Sequence, residues 1–365
     1  MSTTVETIDL ASDSLGPELV PADELADCAQ TVAARDGRAI FSYGAGGGYG
    51  PLRELIGEWF DVAPSRVLLT NGWLHGLSLL AEQAIGSRTA TSRNVVLESP
   101  LDARVADVFL RAGASILSVS VDEEGFAASE LEQMLVQYTL PALVFSITSF
   151  QNPTGRSMSP ARRRRLLELT SAQYRMRSAE ILLVEDGSYS LTRFEGEPSP
   201  GLHDLSHGQA VFTSSFSTTI APGLRVGWVI APPQLSGRLE RAATDSYITP
   251  VLLGQATVCE FLARGAFERQ LERLRTELRS RRDAMLHALE RHLPDATWSS
   301  PEGGFFVWVR LPGTPDGREV VKRTDGVRAL AGTSFGAPSD YVRLSYAAAD
   351  ADEIEAGVEC LAAAI

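Results

Sequence analysis

Residues 210–231 read AVFTSSFSTTIAPGLRVGWVIA. Two short apolar runs, 210–216 and 225–231, flank a polar segment that closes on Pro222, Gly223, Leu224 and Arg225. Runs that are apolar at successive positions suit strands covered by helices on both faces. Five similar runs precede them: RVLLT (66–70), NVVLES (94–99), SILSVSV (115–121), ALVFSIT (142–148) and ILLVED (181–186). Helical patterns lie between: LHGLSLLAEQAI (74–85), ARVADVFLRAG (103–113) with Gly113 at its end, and SPARRRRLLEL (159–169) with Ser159 at the N-cap and Pro160 at the first helical position. This alternation predicts an α/β fold whose large, mainly parallel sheet is flanked by helices.

Beyond the last strand, residues 266–293 predict one long amphipathic helix. The strand-like TWSSPEGGFFVWVRLP (297–312), YVRLSYA (341–347) and a closing helix (351–365) then predict a smaller α+β unit. The expected organisation is an N-terminal arm over 1–35, a large unit over 36–265, the connecting helix, and a small C-terminal unit over 294–365.

The chain has 365 residues, 44% of them hydrophobic and 22% charged, with a formal charge of −13. An acidic surface repels nucleic acid and anionic membranes, so neither is expected as a partner. The basic run ARRRRLLELT (161–170) is expected to be a solvated helix face. The N-terminus lacks a secretory pattern and no run of about 18 apolar residues occurs, so a cytoplasmic protein is expected. Three separated cysteines, Cys28, Cys259 and Cys360, form neither a metal motif nor a disulfide framework. Lys322 is the only lysine in the chain.

In open parallel sheets, ligands bind beyond the carboxyl ends of the strands. Three polar clusters fall at such ends: SFQNPTG (149–155), EDGSY (185–189) and SSFSTTIAPGLR (214–225). Each alone also reads as a turn or a helix cap; a ligand across the strand ends would meet all three. The glycine run GAGGGYG (44–50) follows no buried strand and leads straight into Pro51, which argues against dinucleotide binding.

In this order and spacing the motifs resemble the fold-type-I pyridoxal-phosphate enzymes, specifically the class I/II aminotransferases. The resemblance runs from SYGAGGGYGPLRELI (42–56) through LLTNGWLHGLSLL (68–80), QNPTG, VEDGSY and SFSTTIAPGLRVGW to VRLSYA (342–347). It implies that Asp186 receives a hydrogen bond from the protonated ring nitrogen of the cofactor, while Asn152 and Tyr189 bind the ring hydroxyl oxygen. Ser215, Ser217 and Arg225 would hold the phosphate, together with the backbone N–H groups of Gly72, Trp73 and Leu74 at a helix start. Tyr43 would reach a phosphate across a homodimer interface. Arg343, with Asn152, would bind the α-carboxylate of an amino-acid-like substrate.

The pattern breaks at three places. Thr218 stands where the family has the lysine that forms the internal Schiff base, and a threonine hydroxyl neither forms that bond nor serves as an efficient base. Asp102 replaces the ring-stacking tyrosine, and Trp73 fills a phosphate-loop position usually given to a small residue. Lys322, in GREVVKRTDG, is expected on the surface of the small unit. Four readings follow. Pyridoxal or pyridoxamine phosphate binds non-covalently and acts without an internal aldimine, with Asp102, Tyr189 or His75 handling protons in place of the residue at Thr218. Alternatively the pocket serves cofactor-independent chemistry, the chain is a catalytically inert binding partner, or Thr218 is an engineered change. Retention of Asp186, Asn152, Tyr189, Ser215 and Arg225 favours the first.

Overall fold

The computed structural model describes residues 7–86, 93–137, 140–177 and 181–365, with the backbone alone over 172–177. In chain order the strands are β1 (Ile8–Asp9), β2 (Val67–Asn71), β3 (Asn94–Ser99), β4 (Ser115–Asp122), β5 (Gly125–Phe126), β6 (Leu143–Ile147), β7 (Leu182–Asp186), β8 (Val211–Ser215) and β9 (Val226–Ile230), followed by β10 (Thr297–Trp298), β11 (Phe306–Arg310), β12 (Val327–Arg328), β13 (Leu330–Ala331) and β14 (Tyr341–Ser345). The helices are α1 (Ala22–Ile40), α2 (Gly50–Trp59), α3 (Trp73–Ile85), α4 (Ala103–Arg111), α5 (Ala128–Val136), α6 (Pro160–Arg177), α7 (Leu202–Leu205), α8 (Pro233–Tyr247), α9 (Leu252–Ala263), α10 (Ala266–His292), α11 (Gly317–Arg323) and α12 (Ala351–Ala363). Every strand and helix expected over 66–292 is present, within two residues at the ends except for α6, which continues past Leu169 to Arg177.

The large sheet has the order β2-β9-β8-β7-β6-β3-β4-β5. Pairs β8/β7, β7/β6, β6/β3 and β3/β4 are parallel, whereas β9 and β5 run against their neighbours. The central strands are apolar because both faces are covered: β6 and β8 are buried at every position. Strand β4 departs from that expectation and is largely exposed. Only the two-residue β5 lies beyond it, so it sits near an edge of the sheet where α4 and α5 cover it only in part.

A second sheet, β10-β11-β14-β13, belongs to the C-terminal part. The N-terminal segment joins this part: β1 pairs with β12, Ser345 N–H donates to Leu10 O at 2.8 Å, and Gly16 N–H donates to Ala347 O at 2.9 Å. These bonds carry residues 11–14 to the mouth of the main cavity. Among the described residues no helix is long and apolar enough to cross a membrane.

Helix α6 corrects one expectation. Its arginine run is not simply a solvated face, because Arg163 is buried and Arg162 pairs with Asp122 at 2.7 Å. Arg163 donates from Nε to Met158 O (3.0 Å), from Nη1 to Pro200 O (2.9 Å) and from Nη2 to Thr148 O (2.8 Å). It thereby ties the end of β6, the turn carrying Asn152 and the 199–200 loop into one unit. Replacing Arg163 by Leu leaves buried carbonyls without donors. It should cost about 3 kcal/mol in a urea denaturation experiment, whereas Arg164→Leu on the exposed side of α6 should change the midpoint little.

Candidate active site

The carboxyl ends of β6, β7 and β8 converge with the start of α3 on a cavity of about 230 Å³. Its lining includes Trp73, Leu74, Asp102, Asn152, Asp186, Tyr189, Ser215, Ser217, Thr218 and Arg225. Ten positions singled out in the sequence thus meet in one space.

Asp186 closes β7 and is 3% exposed. Its Oδ1 accepts from the Ser188 N–H at 2.9 Å and the Ser188 hydroxyl at 2.5 Å. Burial nevertheless pushes its pKa up to about 7, against the lowering effect of those bonds and of the Trp73 indole. Among the described residues it has no ion-pair partner, so the carboxylate awaits a cation or a strong donor.

The opposite side of the cavity suits an anion. Gly72 precedes α3 with φ 92°, and a side-chain carbon built there would lie 2.1 Å from the Arg225 guanidinium. The glycine leaves the room in which that guanidinium sits. Arg225 itself adopts a left-handed conformation (φ 54°, ψ 45°), a strained choice for a non-glycine residue. Its guanidinium donates to the backbone carbonyls of Pro222 (3.2 Å) and Asn71 (3.4 Å), and among the described residues no carboxylate pairs with this exposed arginine. Ser215, Ser217 and the N-terminus of α3 lie beside it, and a helix start adds its own partial positive charge.

A buried carboxyl lacking a cation, a free guanidinium and a glycine-made cradle fit a coenzyme with a protonated ring nitrogen and a phosphate. Asp186 would hold the first, and Arg225, Ser215 and Ser217 the second.

Trp73 lines this space half-buried. Its indole N–H donates to Thr213 Oγ1 at 3.1 Å, and its ring centroid lies 6.4 Å from that of Phe145. The cavity persists beside it. Thr218 donates its hydroxyl to Ser188 O at 2.6 Å. Asp102 caps α4 by accepting from Arg104 N–H at 2.9 Å. Burial works against its ionisation, but the hydrogen bonds and charge of Arg104 prevail and hold its pKa below the usual value. Burial pushes the Tyr189 phenol far above its ordinary value.

Arg343, on β14, is 2% exposed and stands behind this wall. Its guanidinium donates to Asn152 Oδ1 at 2.8 Å and to Ala11 O, over the rings of Phe306 and Phe335, while its Nε–H is buried without a partner. Gly72 contributes backbone rather than lining.

Two candidates lie elsewhere. His75 packs its ring 4.7 Å from that of Tyr247 and is not part of the lining, because its helix turns it away from the strand ends. Tyr43 is 80% exposed, in an apolar surface group with Phe41 and Val251. Lys322 lies on α11, paired with Glu319 at 2.7 Å.

Sequence reading missed Asp13, Ser14 and Arg104, which also line the cavity. Asp13 and Ser14 arrive through the β1/β12 pairing, which no local signal announced. Arg104 was visible only as part of a helical pattern. Among the described residues no cluster of potential metal ligands occurs.

The fold and the position of the cavity are those of an aspartate-aminotransferase-like α/β protein. Residues 9–361 match the model of the family described as aminotransferase class I and II, and the chain belongs to that enzyme family. It is 32% identical to the 2-aminoadipate transaminase of Thermus thermophilus, over 96% of this chain and 87% of that protein. It is 31% identical to an uncharacterized HTH-type transcriptional regulator, YisV of Bacillus subtilis, over 98% of this chain and 73% of that protein. The crystal structure of the α-aminoadipate aminotransferase LysN of Thermus thermophilus, complexed with N-(5'-phosphopyridoxyl)-L-leucine, superposes with a TM-score of 0.91. That match has 31% identity and covers 98% and 92% of the two chains.

The raised pKa of Asp186 has a stability consequence. Its native pKa of about 7 exceeds the unfolded value of 3.8, so the native state binds the proton more tightly. Unliganded protein is therefore most favoured below the unfolded value and loses stability as pH rises through about 7. Asp186→Asn removes that penalty. It should stabilise the unliganded chain by ~2 kcal/mol at pH 8, and have little effect at pH 4, in denaturation measured at both values.

Proposed function

We propose that this chain is an aminotransferase-like enzyme that binds pyridoxal or pyridoxamine phosphate without a covalent bond and acts on an amino-acid-like substrate. The observation that carries the reading is the pairing of an uncompensated buried Asp186 with an Arg225 that has no carboxylate partner among the described residues, across one cavity that contains no amine. When bound, the coenzyme supplies an electron sink for charge developing beside the substrate nitrogen.

The chain's own residues do the rest. Asp186 keeps the ring nitrogen protonated, and Asn152 and Tyr189 orient the ring through its hydroxyl oxygen. Arg225, Ser215, Ser217 and the N–H groups from Gly72 to Leu74 anchor the phosphate. Arg343, with Asn152, takes the α-carboxylate through the face that keeps an unpartnered Nε–H. Thr218 stands where an amine would otherwise tether the coenzyme, and its hydroxyl holds the Ser188 carbonyl. Of the candidate proton carriers, Asp102 is ionised near neutrality and acts as the base. Its pairing with Arg104 weakens that basicity, so turnover is expected to be slow. Tyr189 stays protonated and acts as a donor.

The exposed group of Phe41, Tyr43, Ile248 and Val251 supports a homodimer in which Tyr43 reaches the neighbouring site. A large unit over 36–265 and a small unit over 294–365, joined by α10, would border that site. The formal charge of −13 fits a cytoplasmic enzyme of amino-acid metabolism rather than a nucleic-acid or membrane binder.

A second reading has its own support. Similarity over nearly the whole chain to a transcriptional regulator, together with threonine at 218, suits a binding module that holds the same ligands without turnover.

Calorimetry with pyridoxamine phosphate should give one site per chain, weakened at least about tenfold by Arg225→Ala or Asp186→Ala. No heat with either form of the coenzyme overturns the proposal. Thr218→Lys should give a visible absorption band with pyridoxal phosphate that the parent chain lacks. Mass spectrometry of a single-turnover mixture separates the two readings: a keto-acid product favours the enzyme, unchanged amino acid the binding module.

A further inference from the structure

One wall of the cavity carries charge beyond the single carboxylate, Asp102, that the proposed function uses as its base. Arg104 reaches Asp102 Oδ2 from Nη2 at 2.6 Å, and the same Nη2 also meets Asp13 Oδ2. Two carboxylates thus share one guanidinium, leaving an excess of one negative charge. The other charged groups have counterparts in the proposed function: Arg225 in the phosphate, Asp186 in the ring nitrogen, and Arg343 in the substrate α-carboxylate. Asp102 serves as the proposed base, but once Arg343, which also acts on both carboxylates, engages the substrate carboxylate, Asp13 and Asp102 have only Arg104 as a countercharge.

This wall is built rather than incidental. The Ala11 and Ser12 N–H groups donate to Asp9 Oδ1 at 3.0 and 3.1 Å, and Leu10 is hydrogen-bonded on both sides, to Arg328 and Ser345. On the other side, Leu101 N–H donates to Phe335 O at 3.0 Å, immediately before Asp102. The wall also adjoins the carboxylate-binding arginine. Arg343 donates to Ala11 O, two residues before Asp13, and its buried Nε–H has no partner. A ligand held there by its carboxylate has Asp13 and Asp102 close by.

We propose that the Asp13–Arg104–Asp102 group selects substrates whose side chain ends in a cation, such as an ammonium or guanidinium, and disfavours those ending in a carboxylate. The inference rests on the reading of Arg343 as the α-carboxylate site. The relevant electrostatics are local: Asp13 and Arg104 are part-exposed, with side-chain exposures of 36% and 58%, so water screens them and the preference is modest and salt-sensitive. Asp102, at 16%, is the less screened partner. The wall sets this chain apart in substrate preference from a relative named for 2-aminoadipate, whose side chain ends in a carboxylate.

Three amino acids of equal chain length isolate the terminal group: L-lysine, L-norleucine and L-2-aminoadipate. Calorimetry on the purified protein should show lysine binding about five- to tenfold more tightly than norleucine in low salt, with 2-aminoadipate weakest. The lysine-to-norleucine ratio should fall toward one in Asp13→Asn, which makes the group neutral, and rise in Arg104→Gln, which leaves two negative charges. Opposite shifts from two substitutions on one wall are not produced by general loss of folding, and a thermal melt of each variant checks its integrity. Equal binding of lysine and norleucine, preference for 2-aminoadipate, or a ratio unmoved in both variants overturns the inference.

The two proposals fail separately. If pyridoxamine phosphate binds while the three amino acids bind alike, only the selectivity falls. If lysine is preferred but neither coenzyme form binds, the cofactor assignment falls and the charged wall stands.

Discussion

A carboxyl group buried without a cation governs this site. Asp186 sits where β7 ends, between two parallel neighbours, under helices that exclude water. Water would ionise it freely, whereas here ionisation is opposed until about pH 7. The unliganded fold thus carries a local cost that a protonated ring nitrogen would offset. The same constraint explains the Ser188 contacts: two donors on Oδ1 orient the carboxyl and leave the group able to face the cavity. Glu98 lies nearby in the same buried layer, its pKa also pushed up to about 7 by burial, with one oxygen unpartnered. Two such groups close together do not ionise independently, so the polarity of the strand ends is set collectively.

Under the proposed function, threonine at position 218 changes what the remaining contacts must achieve. A covalent tether keeps a coenzyme in place irrespective of its free concentration, whereas a non-covalent one is occupied by mass action. Under the proposed function, each tenfold increase in free coenzyme above its dissociation constant adds ~1.4 kcal/mol to stability. Occupancy then depends on Arg225, the serines and the start of α3. The strain accepted at Arg225, a left-handed arginine beside a positive-φ glycine, is understandable where that guanidinium must point at an anion. Trp73 adds an aromatic wall on a helix terminus, fixed through Thr213. Asp102, also in the lining, presents charge instead.

The sheet was legible because its strands are buried on both faces: LVFSI and VFTSS leave no polar alternation to confuse with a surface strand. The site followed from the rule that polar residues after such strands gather at one edge, which brought Asn152, Asp186 and Ser215 together. Strand β4 read as buried because its composition is that of a core strand, and its exposure depends on what lies beyond it in the sheet. Arg163 read as solvated because its partners are carbonyls of distant loops, which leave no trace in composition. Asp13 was invisible for a related reason. Its place at the cavity depends on the parallel pairing of Ile8–Asp9 with Val327–Arg328, more than 300 residues apart in the sequence.

The long-range pairing has a further consequence for how the two walls of the cavity relate. Asp186, Ser215 and Arg225 stand on or between strands of the large sheet, whereas Arg343 belongs to the small sheet, and Asp13 is carried by the segment paired to that same part. Arg343 and Asp13 therefore share a mounting, through the Ala11 carbonyl and the Leu10–Ser345 bond. Asn152 is one link between the mountings, since it follows β6 yet holds the Arg343 guanidinium. Any shift of the small sheet moves Arg343 and Asp13 together, and it strains the Arg104 pairings and the Asn152 bond. A ligand that engages both Arg343 and the acidic wall adds contacts within one mounting. A coenzyme at Asp186 and Arg225 does so within the other. Near the cavity, cooperation between the two ligands can pass through Asn152 and Arg104, alongside the Leu101–Phe335, Thr192–Gly304 and Arg193–Glu302 bonds that also cross from one part to the other.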